Sequence, residues 1–202
     1  MENYISINNR RIELNDDQVR RILLAADQQK TKLSSITVGD TFKIGKYELV
    51  VLSQDEGYSS VITKALVADA QVFGKSNNYA ESEVDVKCQE FAQELACVIG
   101  WDNIVLHEVD LTSDDGLKDY GVLDRRASLL TADRYRRYVE ILDKHKIDAW
   151  WWLATPHSTA THENASWVLC VSPSGSISID DCYDDYGVRP FCILKSNIFV
   201  SK

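Results

Sequence analysis

The chain has 202 residues, of which 45% are hydrophobic and 26% charged, a composition typical of a folded protein that can bury a core. It carries 31 acidic against 22 basic residues, a formal net charge of −9. This acidic balance argues against nucleic-acid binding, which depends on basic surfaces, and favours a partner protein with a basic surface. No stretch approaches the roughly twenty apolar residues of a membrane span, so no membrane partner is predicted.

Cysteine usage and the first thirty residues predict a cytoplasmic protein. Polar pairs such as Asn8-Asn9 and Asp16-Asp17 interrupt any apolar run there, so no signal peptide is predicted. The five cysteines include no C-x-x-C pair, and an odd number argues against a disulfide framework. We therefore expect reduced cysteines that act as small buried hydrophobic residues, in the host cytoplasm if a phage encodes the protein.

Residues 1–33 predict a β-hairpin plus a helix, a small ββα unit. The hairpin turns at Asn8-Asn9, and Asn15 with Gln18 forms a capping-box pattern at the start of the helix. Apolar residues then recur at helical spacing at Val19, Ile22, Leu23 and Ala26. This unit either serves as a module for self-association or docking, or packs onto the main domain.

A main domain is predicted over residues 36–202, with two helices among many short strands. Two strands joined at Gly45-Lys46 open it, and a third candidate strand runs from Val61 to Val67. Further strands are predicted at 105–111, 150–153, 167–172, 177–179 and 188–194. This interleaving of helices and short strands indicates an α+β fold.

Each of the two helices has a capping residue and an apolar stripe. Ser82 caps the first, which ends at Gly100, and Thr131 caps the second. The predicted buried positions are Val84, Cys88, Phe91, Leu95 and Val98 in the first helix, and Tyr135, Tyr138, Val139 and Leu142 in the second.

Three segments carry a family resemblance. Residues 150–156 read W-W-W-L-A-T-P and resemble a W-W-L-R-S-P block, and residues 187–194 read G-V-R-P-F-C-I-L and resemble a G-V-R-P-A-L-W-L block. Residues 39–47 match a G-D-x-F-x-x-G-x-Y pattern. Together they resemble a family of uncharacterised domains from phages, prophages and gut bacteria. That family in turn resembles the C-type-lectin-like fold of formylglycine-generating enzymes and phage receptor-binding variable proteins.

The resemblance implies a C-type-lectin-like mixed-sheet domain with two main helices, preceded by the ββα unit. It implies no activity, because the sequence departs from the functional motifs. Ala154-Thr155 stands where the family has Arg-Ser, and the E-P-N and W-N-D motifs of sugar-binding lectins are absent. Cys182 and Cys192 do not reproduce the spacing of the paired-cysteine site of formylglycine-generating enzymes. We therefore expect no catalytic residue and no cofactor.

His157 and His162 lie in one predicted loop and are candidate binding residues. Two histidines at this spacing can converge on zinc, with Cys182 and a nearby aspartate as further ligands. Because no second local ligand pair accompanies them, we expect plain surface histidines and no metal.

The densest acidic run contains Asp180, Asp181, Asp184 and Asp185. Carboxylates can hold calcium, but the spacing of an EF-hand loop is missing. A solvated hairpin tip is one interpretation, and a protein-contact surface that imitates phosphates is the other. The Trp150–Trp152 run is expected to fill the core rather than form a stacking platform.

These observations predict a non-enzymatic, phage-type binding module that contacts a host protein through loops 155–166 and 180–186. A narrower alternative is an inhibitor of a host defence nuclease, of the anti-CRISPR kind, which covers a basic surface. A second alternative is an enzyme related to the formylglycine-generating class, which requires a reactive and exposed Cys182 or Cys192.

Overall fold

The computed structural model describes residues 4–7, 10–19 and 30–202. Its two long helices are α1 (Glu83–Ile99) and α2 (Ala132–Leu142). Its strands are β1 (Tyr4–Ile7), β2 (Arg10–Glu13), β3 (Lys30–Lys32), β4 (Thr41–Ile44), β5 (Tyr47–Asp55), β6 (Tyr58–Thr63), β7 (Ala68–Val72), β8 (Ile104–Val105), β9 (His107–Asp110), β10 (Val122–Arg125), β11 (Ala127–Ser128), β12 (Trp151–Pro156), β13 (Trp167–Val171), β14 (Ile177–Asp181), β15 (Asp185–Val188), β16 (Phe191–Lys195) and β17 (Phe199–Ser201).

The fold is mixed α+β and mostly β-sheet, as the sequence predicts. An eight-stranded sheet, which curls into a half-barrel, has the order β11-β16-β6-β5-β4-β17-β3, with β8 also paired to β16. A five-stranded sheet has the order β14-β13-β12-β15-β7, and two-stranded sheets join β1 to β2 and β9 to β10. Within the described ranges, no helix is long and apolar enough to cross a membrane.

The N-terminal hairpin and the helix start behind it form as predicted. Strands β1 and β2 pair antiparallel. The backbone N–H of Asn15 donates to Gln18 Oε1 and that of Gln18 donates to Asn15 Oδ1, both at 2.9 Å, so the capping box is confirmed. Residues 16–19 are helical. The predicted turn at positions 8–9 and the helix positions 22, 23 and 26 lie outside the described residues.

The main sheet begins before the boundary predicted at residue 36. Strand β3 pairs with β17, and Leu33, directly after β3, is fully buried in the core. The predicted turn at Gly45-Lys46 is confirmed between β4 and β5, and Gly45 adopts a φ of 57°, which favours glycine. The third predicted strand is displaced, because β6 ends at Thr63.

Both faces of the central strands are buried, each beneath its own helix. In β5, Leu49 and Val51 point into a core cluster that includes the buried face of α1. Val50 and Leu52 point the other way, into a cluster that includes the buried face of α2. Because alternate side chains of a strand leave opposite faces, a continuous apolar run here indicates burial on both sides.

Helix α1 has the predicted ends and all but one of the predicted core positions. Ser82 Oγ accepts a hydrogen bond from the Asp85 N–H at 3.1 Å, and Gly100 ends the helix. Val84, Cys88, Phe91 and Leu95 are buried. The prediction for Val98 is wrong, because its side chain is 59% exposed. Val98 lies against Gly45 of the β4–β5 turn, which has no side chain to cover it.

The start of helix α2 is also confirmed, since Thr131 Oγ1 accepts from the Arg134 N–H. Tyr135 and Leu142 are buried, and the other two predicted core residues, Tyr138 and Val139, are half-buried.

Two of the three consecutive tryptophans fill the core, as predicted. Trp151 and Trp152 are buried and point to opposite faces of β12, into the α2 and α1 clusters respectively. Trp150 is 38% exposed and stacks on Tyr186, with ring centroids 5.6 Å apart.

We expect Ser82→Ala to lower the free energy of unfolding by about 1 kcal/mol, because it removes the α1 cap. The same hydroxyl also donates to the Tyr79 carbonyl oxygen at 2.8 Å. Urea unfolding measures the change. Ser35→Ala is the control, since Ser35 is exposed and its hydroxyl has no described partner. Equal losses in the two variants would contradict the capping role.

Candidate functional site

Three loops meet at one end of the five-stranded sheet: residues 112–121, 157–166 and 180–186, named here the loop face. The backbone N–H of Asp114 donates to the Pro156 carbonyl oxygen at 3.0 Å, which joins the first loop to the second. The N–H of Cys182 donates to the Ser166 carbonyl oxygen at 2.7 Å, which joins the second to the third. The structure thus brings together the two loops that the sequence singled out, and adds a third.

The carboxylate of Asp115 ties the first loop to the second. It accepts hydrogen bonds from the hydroxyl groups of Ser113 and Ser158, the latter at 2.6 Å. His162 Nδ1 lies 2.9 Å from the same carboxylate. The two serine hydroxyls and then the histidine hold the pKa of Asp115 well below its usual range. Asp115 is therefore a charged anchor for loop 157–166.

The carboxylate of Asp119 also accepts hydrogen bonds from hydroxyl groups of the second loop. Its Oδ2 accepts from the hydroxyl groups of Thr159 and Thr161, both at 2.6 Å. These two hydrogen bonds lower the pKa of Asp119. The two aspartates together fix loop 157–166 at both ends of its short turn.

The fully buried side chain of Asn77 holds the same loop from the other side. Its Nδ2 donates to the carbonyl oxygens of Ser158, Asn164 and Trp167 at 2.9, 3.3 and 3.0 Å. Its Oδ1 accepts from the Tyr120 hydroxyl at 2.7 Å. Because both ends of the amide are bonded, this one side chain connects three loops.

The two histidines singled out by the sequence do not converge. His162 pairs with Asp115, whereas the ring of His157 lies 6.5 Å from that of Trp167, and His157 Nδ1 has no hydrogen-bond partner. In the part of the chain that the structure describes, no group of three or more His, Cys, Asp or Glu side chains is placed to hold a metal ion.

The acidic run is not the tip of a hairpin, so that interpretation is wrong. Strand β14, which ends at Asp181, is the edge of the five-stranded sheet and pairs with β13. Strand β15, which starts at Asp185, lies beyond β12 and pairs with β12 and β7. The run is therefore a crossover between non-adjacent strands, a connection that local sequence signals do not distinguish from a tight turn.

The four predicted aspartates have different environments. Asp180 accepts a hydrogen bond from the Tyr186 hydroxyl, which lowers the pKa of Asp180. A hydrogen bond with Asp180 raises the pKa of Asp184. Asp181 accepts from the Tyr183 N–H at 3.0 Å, and Asp185 is exposed.

Both cysteines that the enzyme alternative requires are buried. Cys182 and Cys192 are each 0% exposed. Burial raises the pKa of Cys182 to about 11 and that of Cys192 further. Neither thiol therefore meets the requirement for an exposed, ionisable nucleophile. Among the five cysteines, Cys97 is the exposed one.

Exposed aromatic side chains accompany the acidic residues of the loop face. Tyr183, within the third loop, is 64% exposed, and Trp167, directly after the second, is 44% exposed. The stacked pair of Trp150 and Tyr186 borders the third loop.

Residues 106–196 match the model of a family described as "Domain of unknown function (DUF6273)". The match covers less than half of the 202 residues and includes all three loops of the loop face. It agrees with the expectation of an uncharacterised domain family over the C-terminal part of the chain. No curated protein and no solved structure matches the chain.

The residues that organise the loop face were not recognised in the sequence. Asp115 lies in a Ser-Asp-Asp-Gly stretch that indicates only a turn, and Asn77 belongs to an Asn-Asn pair that indicates only a loop. Asp119 has no local signal at all. Apart from Ser113, the partners of these residues lie about forty or more positions away along the chain, beyond the reach of a local pattern.

We expect Asn77→Ala to lower the free energy of unfolding by about 3 kcal/mol, because several buried polar groups lose their partner together. Chemical unfolding followed by tryptophan fluorescence measures it. Asn197→Ala is the control, since Asn197 is exposed and has no described side-chain hydrogen bond. A loss no greater than that of the control would contradict the connecting role of Asn77.

We expect Asp115→Asn to reduce the acid sensitivity of the fold. The lowered pKa of Asp115 means that the carboxylate stabilises the folded chain above its ordinary pKa of 3.8 and loses this contribution as the pH falls further. The stability difference between wild type and variant should therefore shrink between about pH 5 and pH 2. Thermal unfolding across this range measures it, with the exposed Asp148→Asn as control. A difference independent of pH would contradict the assignment.

Proposed function

We propose that this protein is a non-enzymatic binding module of the phage or prophage type, and that the loop face contacts another protein. The observation that carries the proposal is the fixed arrangement of the loops. Asp115, Asp119 and Asn77 each hold loop 157–166 through hydrogen bonds, the aspartates at its side-chain hydroxyl groups and Asn77 at its backbone. A surface held in one shape before binding loses less conformational entropy when a partner docks.

The charge of the loop face supports a basic partner. Its loops carry eight acidic residues against one lysine: Asp114, Asp115, Asp119, Glu163, Asp180, Asp181, Asp184 and Asp185 against Lys118. A dense negative surface accelerates the approach of a positive one and disfavours acidic partners. A nuclease that binds nucleic acid in a basic groove has the complementary charge, so a host defence nuclease remains the narrower candidate partner.

Exposed aromatic side chains can supply binding energy that charge alone does not. Tyr and Trp are enriched among the residues that dominate binding energy in protein interfaces. Tyr183 and Trp167 are exposed beside the acidic crossover. The Tyr183 hydroxyl donates to the Lys75 carbonyl oxygen at 3.1 Å, and the Trp167 backbone N–H donates to Asn164 Oδ1 at 3.2 Å. The proposed interface therefore combines aromatic anchors with a surrounding acidic surface.

The chemistry of the site supports binding rather than catalysis. The hydroxyl groups of Ser158 and Thr159 donate to carboxylates that hold the loops, and are not aligned on a histidine base. The buried Cys182 and Cys192 likewise offer no thiolate.

The arrangement of the main domain as a C-type-lectin-like fold belongs to the same proposal. Its support is the resemblance of residues 150–156 and 187–194 to the motif blocks. An experimental structure whose strand order differs from that of C-type lectins would refute it.

The test is capture of a partner by the tagged full chain from a bacterial lysate, followed by measured affinity for that partner at several salt concentrations. The variant carries Glu163→Gln, Asp184→Asn and Asp185→Asn, which neutralise exposed carboxylates of the loop face. We expect about tenfold weaker binding at low salt and a smaller salt dependence.

The control carries Asp40→Asn, Asp102→Asn and Asp148→Asn, an equal change of charge at exposed positions away from the loop face. It should bind as the wild type does. Equal loss in both triple variants, or no loss in the first, would refute the loop face as the contact surface. If no protein is retained at all, the proposal of a protein partner fails.

A further inference from the structure

The Gly187–Pro190 segment lies outside the loop face, and it hydrogen-bonds to residues that line a separate cleft. This cleft, of about 890 Å³, lies between the β6–β7 connection and residues 144–149, after α2. The backbone N–H groups of Val67 and Thr63, both lining residues, donate to the carbonyl oxygens of Val188 and Pro190 at 2.8 and 3.0 Å.

Gly187 shapes the same wall through the absence of a side chain. A Cβ atom at this position would overlap Leu66 Cδ1, so the Leu66 side chain packs directly on the glycine backbone. Leu66 lines the cleft. Residues 187–190, which belong to one of the segments that carry the family resemblance, therefore determine the shape of this wall as well as its hydrogen bonds.

Lysines outnumber carboxylates among the residues that line this cleft, in a chain of net charge −9. Four lysines line it, namely Lys46, Lys64, Lys144 and Lys146, against two carboxylates, Glu48 and Asp69. Three of these lysines form exposed ion pairs, which contribute little to stability and can be exchanged for a ligand. Lys144 has no ion-pair partner among the described residues.

Beneath the cleft, one polar group has no hydrogen-bond partner and one buried charge has no counter-ion in the described part of the chain. Thr63 is 2% exposed, and its Oγ1 has no hydrogen-bond partner. Behind it, the buried Arg189 donates from Nε to the Thr63 carbonyl oxygen at 2.9 Å and from Nη2 to the His145 carbonyl oxygen at 3.1 Å. Arg189 forms no ion pair with a carboxylate in the described ranges, so its charge adds to the positive potential of the floor.

We propose that this cleft binds a phosphorylated small molecule. Several ammonium groups suit a dianionic phosphate, and the hydroxyl of Thr63, buried in the lining, is a donor without a described partner. Tyr47, Leu66, Val67 and Ile147 provide an apolar wall for the organic part. The volume lies within the range of about 300–1,000 Å³ that is usual for small-molecule sites. The proposal is independent of protein binding by the loop face.

The test titrates the full chain with inorganic phosphate, ribose 5-phosphate and adenosine monophosphate in a calorimeter. At least one phosphate ester should bind saturably and more tightly than inorganic phosphate. Lys144→Gln should weaken that binding about tenfold, the usual effect of removing one charge-assisted contact. Lys118→Gln, the same change of charge on the loop face, should leave it unchanged.

Thr63→Val separates a binding role from a structural one. Valine has the shape of threonine without the hydroxyl that lacks a partner, so the variant should be at least as stable as the wild type. If the hydroxyl contacts phosphate, the same variant binds the ester about tenfold more weakly.

Three results would overturn the proposal. The first is that none of the three probes binds saturably up to about 1 mM. The second is that Lys118→Gln and Lys144→Gln weaken the binding of the ester equally. The third is that inorganic phosphate binds as tightly as both esters. The last result would indicate a simple anion site with no role for the apolar wall.

Discussion

Arg189 is 1% exposed and lies between the last residue of β15 and the first of β16, where the chain passes from one large sheet to the other. Its guanidinium group bonds the carbonyl oxygens of Thr63 and His145 and lies over the ring of Trp151. Burial lowers its pKa to about 10, because a desolvated charge is costly even when it is hydrogen-bonded. Strands of both large sheets and the segment after α2 thus meet at one buried cation.

The loop face shows how the same chemical group can serve two purposes. Asp115 and Asp119 have their oxygens occupied by hydroxyl groups of the neighbouring loop, so they organise the surface from within. Asp185 and Glu163 are exposed, with no described side-chain partner, and remain available to another molecule. Acidic residues of the first kind set the shape of the surface, and those of the second kind set its charge. Rigid scaffolds that carry functional loops commonly divide these roles in this way.

The parts of the fold that depend on near neighbours were predictable from the sequence. The caps at Asn15, Ser82 and Thr131 each involve residues three positions apart, and all three are present. The parallel pairing of β12 with β15 and the crossover that carries the acidic run were not predictable, since strand order is set by contacts between distant segments. For the same reason the candidate loops could be chosen from composition, whereas the roles of Asp115 and Asn77 within them could not.

The pairing order of the eight-stranded sheet has a consequence for synthesis in the cell. Strand β16 lies between β11 and β6, and β17 lies between β4 and β3, so residues 191–201 supply two interior strands. A ribosome releases these residues after all the strands that they join. Until then the hydrogen-bonding edges of β4 and β6 have no neighbour on that side, and such edges promote aggregation. Closure of this sheet therefore waits until β16 and β17 have been synthesised, and before that the open edges of β4 and β6 are exposed to other chains.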